Sequence, residues 1–289
     1  MKLFYSLFFL LFLTACGSVD VVPFFNKNYT IIGEPGTPIT YEVEKNLAYG
    51  ENELQNYDIY LPQSQPQKVP VIVLLHGGGW REGDKGFINP IVNALRQRNV
   101  RCAIVNMNHR LTSQSGIAYK DQIEDIDLLL KKIRSEAKTL NIVPKFFLIG
   151  VSSGGHLAML YAYSADRKNL VEAVGGIVSP VDLTTEKIRR GRMNQDIINL
   201  VGDSFNTETE AEYRNASPLF WLDKSSPPTI VFYGGRDTTV PPEQGEAMKS
   251  KLEAVKNEHE YYFYPEQTHE WNRLPETIDK MLVFGEKHL

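Results

Sequence analysis

The segment best suited to covalent chemistry is Gly150-Val151-Ser152-Ser153-Gly154, a serine with a glycine two residues to either side. A serine hydroxyl becomes a useful nucleophile when a base stands beside it. Directly before the segment runs Phe146-Phe147-Leu148-Ile149, which reads as a buried strand; directly after it His156-Leu157-Ala158-Met159-Leu160-Tyr161-Ala162 reads as a helix. A tight strand-to-helix turn needs small neighbours, and Gly150 and Gly154 let the backbone pass close to itself. The turn lifts the hydroxyl out of the sheet. The next amide, that of Ser153, then lies at a helix N-terminus, where negative charge is stabilised. Strand, turn and helix in this order make a nucleophile elbow.

A second segment, His76-Gly77-Gly78-Gly79-Trp80, follows the apolar run Val69 to Leu75. Attack on a carbonyl builds a negative oxygen, which backbone N–H groups stabilise if they are already aimed at it. Glycines let a loop turn its amides toward a ligand without side-chain clash. His76 precedes the donor glycines and is expected to brace the loop rather than exchange protons.

The serine needs a histidine base held by a carboxylate. The histidines after Ser152 are His156, His259, His269 and His288. His156 lies one turn into the elbow helix, His259 precedes a strand at the wrong sheet edge, and His288 is one residue from the terminus. His269, in Pro265-Glu266-Gln267-Thr268-His269-Glu270-Trp271, follows the last strand and projects at its C-terminal end, where functional groups gather in open α/β sheets. The acid is expected beyond the preceding strand, Thr229 to Tyr233, which runs into Gly234-Gly235-Arg236-Asp237. That makes Asp237 the candidate, with a helix-cap or turn aspartate as the alternative. Asp182 is the second candidate acid.

These residues have to be carried by a sheet. Tyr41–Tyr49 and Gln55–Leu61 read as two antiparallel strands, and Val69–Leu75 as a central strand buried on both faces. Strands then alternate with helices: helix Phe87–Arg98, strand Val100–Met107, helix Tyr119–Leu140, the elbow strand, and strands Ala173–Val178, Thr229–Tyr233 and Tyr261–Tyr264. Two more helices are expected over Glu243–Val255 and Pro275–His288. Such alternation predicts a mostly parallel sheet with helices on both faces. Residues 183–226 interrupt it with a polar stretch, read as a small, largely helical, cap-like insertion; it forms either one wall of the substrate pocket or a surface excursion.

The 289 residues, 42% hydrophobic, suffice for one large domain, expected over 29–289. A net charge of −4 without a basic stripe argues against nucleic acid as a partner. Met1-Lys2 followed by apolar Leu3 to Leu13 is too short to span a membrane and fits a signal peptide over residues 1–15. The run ends in Leu13-Thr14-Ala15-Cys16, which is similar to a bacterial lipobox. Cys16 is therefore the expected lipid anchor, residues 16–28 the lipidated cysteine and its tether, and the cell envelope the expected location, on the outer membrane. A plain secretory signal is the alternative. With Cys16 acylated, Cys102 has no disulfide partner and reads as a buried thiol. The histidines show no metal-ligand spacing, so neither metal nor organic cofactor is expected.

The chain resembles an α/β-hydrolase of the esterase/lipase group with an HGGG oxyanion loop, and within it the bacterial branch of feruloyl-esterase-like and acetyl-esterase-like proteins. The resemblance runs from about Tyr41 to the C-terminus. It rests on Tyr57-Asp58-Ile59-Tyr60-Leu61-Pro62, His76 to Trp80, Gly150 to Leu157, Gly234 to Pro241, and His269. It implies Ser152, Asp237 and His269 as a triad, and the amides of Gly77, Gly78 and Ser153 as oxyanion donors. Hormone-sensitive-lipase relatives carry Asp-Tyr-Arg-Leu-Ala-Pro-Glu after the fourth strand. Asn108-His109-Arg110-Leu111-Thr112 stands there instead, a departure from that branch.

The expected function is ester hydrolysis through an acyl-serine intermediate, on small or glycan-linked esters such as acetylated or feruloylated sugars. An arylformamidase-like amide hydrolase and a non-catalytic binding protein on the same scaffold are the alternatives. A serine peptidase would bring a propeller or specificity domain, for which the chain has no room.

Overall fold

The computed structural model describes residues 30–289 except 34–37, 64, 66 and 167. The expected signal peptide (1–15), Cys16 and the tether to residue 28 lie outside the described residues. Among the described residues, no helix is long and apolar enough to cross a membrane.

Among the described residues, eight strands form one sheet: β1 (Tyr41–Ala48), β2 (Asn56–Pro62), β3 (Val69–Leu75), β4 (Ala103–Met107), β5 (Ile142–Val151), β6 (Val171–Ile177), β7 (Thr229–Gly234) and β8 (His259–Tyr264). Their spatial order is β1-β2-β4-β3-β5-β6-β7-β8. β2 pairs antiparallel with β1 and β4; every other pairing is parallel. The five main helices are α1 (Asn89–Gln97), α2 (Tyr119–Ser135), α3 (Ser153–Ser164), α8 (Pro242–Val255) and α9 (Leu274–His288). Four short helices, α4 (Glu186–Arg189), α5 (Asn194–Val201), α6 (Glu210–Asn215) and α7 (Pro218–Trp221), fill the interruption at 183–226.

β3 shows how the layers close. All 7 of its side chains are buried, and they alternate between two cores. Val71, Val73 and Leu75 share one core with Ile126 and Leu130 of α2, Leu157 of α3 and Met248 of α8. Ile72 and Leu74 share the other core with Ile91 and Leu95 of α1 and Met281 of α9. Helices therefore cover both faces, and the continuous apolar run in the sequence is the trace of a strand with no wet side. This is the α/β-hydrolase fold.

Several boundaries differ from the sequence-based expectation. The helix expected over 87–98 divides into a 3-10 turn at Lys85–Ile88, capped by the Asp84 carboxylate on the Gly86 amide at 2.6 Å, and α1, which starts with Pro90 in its first turn. β5 begins at Ile142 rather than Phe146, because Val69 of β3 pairs with Ile142 and draws the earlier residues into the sheet. α2 ends at Ser135 rather than Leu140, ahead of a turn in which Asn141 takes φ 53°. His259 is the first residue of β8 and does not precede it. Cys102 is buried, and burial pushes its thiol pKa well up.

Candidate active site

Ser152 sits between β5 and α3 with φ 53° and ψ −122°, outside the region favoured by side-chain-bearing residues. Strain of this kind persists only where the surroundings hold it. The Ser152 amide donates to Ile177 O of β6 at 2.8 Å, and its carbonyl accepts from the His156 amide at 3.1 Å. The turn tolerates no side chain at Gly154: a Cβ there would lie 2.3 Å from the carbonyl oxygens of both Leu75 and His76. The elbow thus grips the end of β3, and with it the start of the glycine loop.

Asp237 and His269 come to Ser152 from beyond the ends of β7 and β8. The loops after β7 and β8 are tied together by the Arg236 amide, which donates to Gln267 O at 2.9 Å, and the second loop is braced by Gln267 Nε2 donating to Glu270 O at 2.8 Å. His269 Nε2 lies 3.0 Å from Ser152 Oγ, and His269 Nδ1 lies 2.8 Å from Asp237 Oδ2. The second carboxylate oxygen of Asp237 accepts from the Thr239 and Val240 amides, each at 2.8 Å. Asp237 is buried, whereas His269 is partly open to the cleft. A carboxylate can only accept, so the His269 proton belongs on Nδ1, which leaves Nε2 free to accept from the serine.

The other candidate bases lie elsewhere: His259 on β8 bonds Asn257 O, and His288 is on α9. Asp182 turns away as well; its Oδ1 accepts from the amide and hydroxyl of Thr184 at 2.9 and 2.6 Å.

The glycine loop lies over the elbow. A Cβ on Gly77 would stand 3.3 Å from the Ser152 Cβ, so this glycine packs directly against the serine. Gly78 takes φ 122°, and its carbonyl accepts from the amides of Arg81 and Glu82 in the following turn. Ser153 is the first residue of α3, where a helix leaves its N–H groups without internal partners. His76 is buried beneath the loop. Its Nδ1 lies 2.7 Å from Gly77 O, and its ring stacks on His109 with centroids 4.5 Å apart. Burial and the neighbouring ring lower the His76 pKa to about 3, and burial lowers that of His109. His76 is therefore neutral and donates within its own loop.

Ser152, His269, Gly77 and Gly78 all border one cleft of about 520 Å³. One side is apolar, built from Ile88, Ile91, Ile177, Trp271 and Leu274, with Phe87 exposed at the rim. The insertion adds Arg192, Met193 and Asp196 to the lining. Asp196 Oδ1 takes Arg81 Nε at 2.9 Å, which joins α5 to the end of the glycine loop. Burial raises the Asp196 pKa, against the pull of Arg81. Among the described residues, no group of three or more His, Cys, Asp or Glu side chains is arranged to hold a metal ion.

Sequence reasoning assigned no role to several residues that position the site. Arg110, in the segment where the chain departs from the lipase pattern, bonds the buried Asp125 of α2 at 2.7 Å. Gln122 Nε2 donates to both Trp80 O and Arg110 O, at 2.8 and 2.7 Å. Asp196 and Arg81 lie 115 positions apart, and no local pattern announces their pairing.

The family model BD-FAE matches residues 57–252, a span that includes the elbow, the glycine loop and Asp237. The chain belongs to the BD-FAE family. Among curated relatives of this BD-FAE member, Esterase LipC of Mycobacterium tuberculosis is 23% identical over 230 residues, covering 74% of this chain and 56% of the relative. Kynurenine formamidase of Danio rerio is 26% identical over 119 residues, covering 40% of this chain and 37% of the relative. The chain spans about half the length of the first curated relatives it matches. Among solved structures, a truncated carbohydrate esterase from gut microbiota superposes with a TM-score of 0.74 at 23% identity, covering 86% of this chain and 97% of the other. Esterase B of Lactobacillus rhamnosis gives a TM-score of 0.70 at 20% identity, with 87% of each chain covered. At these identities the solved structures speak to the fold.

Proposed function

We propose that this BD-FAE member is a serine carboxylic ester hydrolase. The observation that carries the reading is the relay at the cleft floor: Ser152 Oγ 3.0 Å from His269 Nε2, and His269 Nδ1 2.8 Å from a buried Asp237. The Ser152 oxygen attacks the ester carbonyl carbon while its proton passes to His269 Nε2. The carbonyl oxygen becomes an anion that the amides of Gly78 and Ser153 face, with Gly77 beside them. Collapse of this intermediate breaks the carbon–oxygen bond to the alcohol, which leaves with the proton held by His269. Water then repeats the sequence on the acyl-serine, giving up one proton to His269 and releasing the acid. Asp237 holds the imidazole in the required tautomer and stabilises its cation.

The substrates we propose are small or sugar-linked esters, acetylated or feruloylated. A half-apolar cleft with a charged wall suits an ester whose two sides differ in polarity, and a carbohydrate esterase shares the fold. A panel of p-nitrophenyl esters graded by acyl length, followed by acetylated and feruloylated glycans, tests this; turnover confined to long-chain esters would refute it. The formamidase among the relatives supports a second reading, cleavage of an activated amide by the same relay. Faster turnover of a formanilide than of the matched phenyl ester would favour it.

For location we propose a lipid on Cys16 that tethers the domain to the bacterial envelope, at the outer membrane. The support is the apolar run ending in Leu13-Thr14-Ala15-Cys16. Metabolic labelling with a fatty acid should mark wild type and not Cys16→Ser; equal labelling refutes the anchor.

A further inference from the structure

His156, on the first turn of α3, takes no part in the proton relay, yet both of its ring nitrogens are engaged across the fold. Trp80 Nε1 donates to His156 Nδ1 at 3.1 Å, with the two rings edge-on and 5.0 Å between centroids. On the other side, His156 Nε2 lies 2.7 Å from Ala216 O, in the insertion between α6 and α7. An indole N–H can only donate and a carbonyl can only accept. The two partners therefore specify one neutral tautomer, protonated on Nε2. Both side chains are fully buried, so neither group can turn to water if the other is lost.

What His156 joins gives the arrangement its meaning. Trp80 ends the His76-Gly77-Gly78-Gly79-Trp80 loop and takes φ 61°. Its carbonyl accepts from Gln122 Nε2 at 2.8 Å and from the Thr112 amide at 3.0 Å, which ties the loop backbone to α2 and its approach. Its indole ties the loop to α3. His156 in turn sits three residues beyond Ser153, the residue whose amide opens α3. The histidine therefore bridges the two segments that carry the amides of Gly78 and Ser153, the oxyanion donors of the proposed mechanism.

We infer that His156 is a positioning residue for the oxyanion site, holding the glycine loop at a fixed distance from α3 so that the two amides converge on one oxygen. This rests on the ester-hydrolase reading. Donors of this kind act only within about 2.7–3.1 Å of the place the oxygen will occupy. A misplacement of about 1 Å costs on the order of 10²-fold in rate. Because the oxyanion forms only as the reaction proceeds, a loosened loop lowers kcat and leaves KM nearly unchanged.

The test compares His156→Phe, which keeps a buried ring but loses both bonds, with His156→Gln, whose amide offers one acceptor and one donor. Turnover of p-nitrophenyl acetate is measured per active site, titrated with an organophosphonate so that unfolded molecules do not count. His156→Phe should lose about 10- to 100-fold in kcat with KM within about twofold, and His156→Gln should recover most of the loss. Trp80→Phe removes the donor from the other end, and it should reproduce the kcat loss even if His156→Phe does not fold. A folded His156→Phe or Trp80→Phe with wild-type kcat overturns the inference, even if its melting temperature is lower. So does a loss that appears wholly in KM. If wild type shows no ester turnover that Ser152→Ala abolishes, the ester reading falls and the inference falls with it. If that turnover is present while kcat is indifferent to His156, the inference alone falls.

Discussion

Asp237 gives one carboxylate oxygen to His269 Nδ1 at 2.8 Å and the other to two backbone amides of its own loop. The two amides fix the carboxylate plane, and the plane fixes the imidazole. Asp182, the other sequence candidate, uses its Oδ1 on the Thr184 turn.

Asp237→Asn should therefore cost far more than Asp182→Asn. The amide cannot hold His269 in the needed tautomer or stabilise its cation, and a comparable change in a serine protease costs about 10⁴ in kcat. Asp182→Asn should stay within about tenfold of wild type. Steady-state kinetics of the two folded variants, run side by side, check the ranking. A reversed order would move the acid to Asp182 while leaving the nucleophile in place.

Ser152→Ala and His269→Ala should each abolish ester turnover, and the double variant should be no worse than either alone. Nucleophile and base act as one unit, so the first loss removes nearly all that the second could. An organophosphonate should modify Ser152 in wild type, as read by peptide mass, and leave Ser152→Ala unmodified. Full turnover by a folded Ser152→Ala protein would refute Ser152 as the nucleophile and move the chemistry to another residue.

Gly78→Ala should slow turnover through the geometry of the loop. A Cβ at this position would meet Glu82 O at 2.0 Å, and φ 122° is strained for any L side chain. Either the Arg81–Glu82 turn shifts or the peptide rotates, and in both cases the Gly78 amide is re-aimed. Losing one such donor typically costs on the order of 10²–10³ in kcat. Circular dichroism should remain that of wild type, since the affected turn is an exposed one. Unchanged turnover would place the donors elsewhere.

The central elements were legible because their signals are local. Val69–Leu75 is seven apolar residues in a row, and the sequence reading and β3 share the same bounds. The elbow announces itself through Gly150 and Gly154 around Ser152, and His269 and Asp237 through their places just past two strand ends. What was not legible depends on contacts between distant segments. β5 reaches back to Ile142 because β3 supplies a partner, although Pro144 and Lys145 break the apolar run. The neutral bridge from Trp80 through His156 to Ala216 joins three segments, and from sequence His156 looked like one more helix residue. Pairing of this kind follows from the fold and has no signature of its own in the chain.

The same bridge sets a pH dependence of stability. Burial lowers the His156 pKa from 6.5 to about 4 and, with the stacked His109 ring, that of His76 to about 3; burial lowers His109 as well. In the unfolded chain these histidines take up protons as pH falls through about 6.5. The folded protein refuses them, because protonating His156 Nδ1 would set it against the Trp80 N–H. The unfolded state therefore binds more protons in this range, and stability rises with pH there. Their contribution is complete above 6.5 and is lost progressively as pH falls toward 4. Urea midpoints between about pH 5 and 6.5, above the range where most carboxylates titrate, should fall steadily on acidification. In His156→Gln the slope should be shallower by the equivalent of about one proton, roughly 1.4 kcal/mol per pH unit at its steepest. Parallel slopes in wild type and variant would mean that His156 is charged in the folded protein, and the tautomer assigned from its two partners would be wrong.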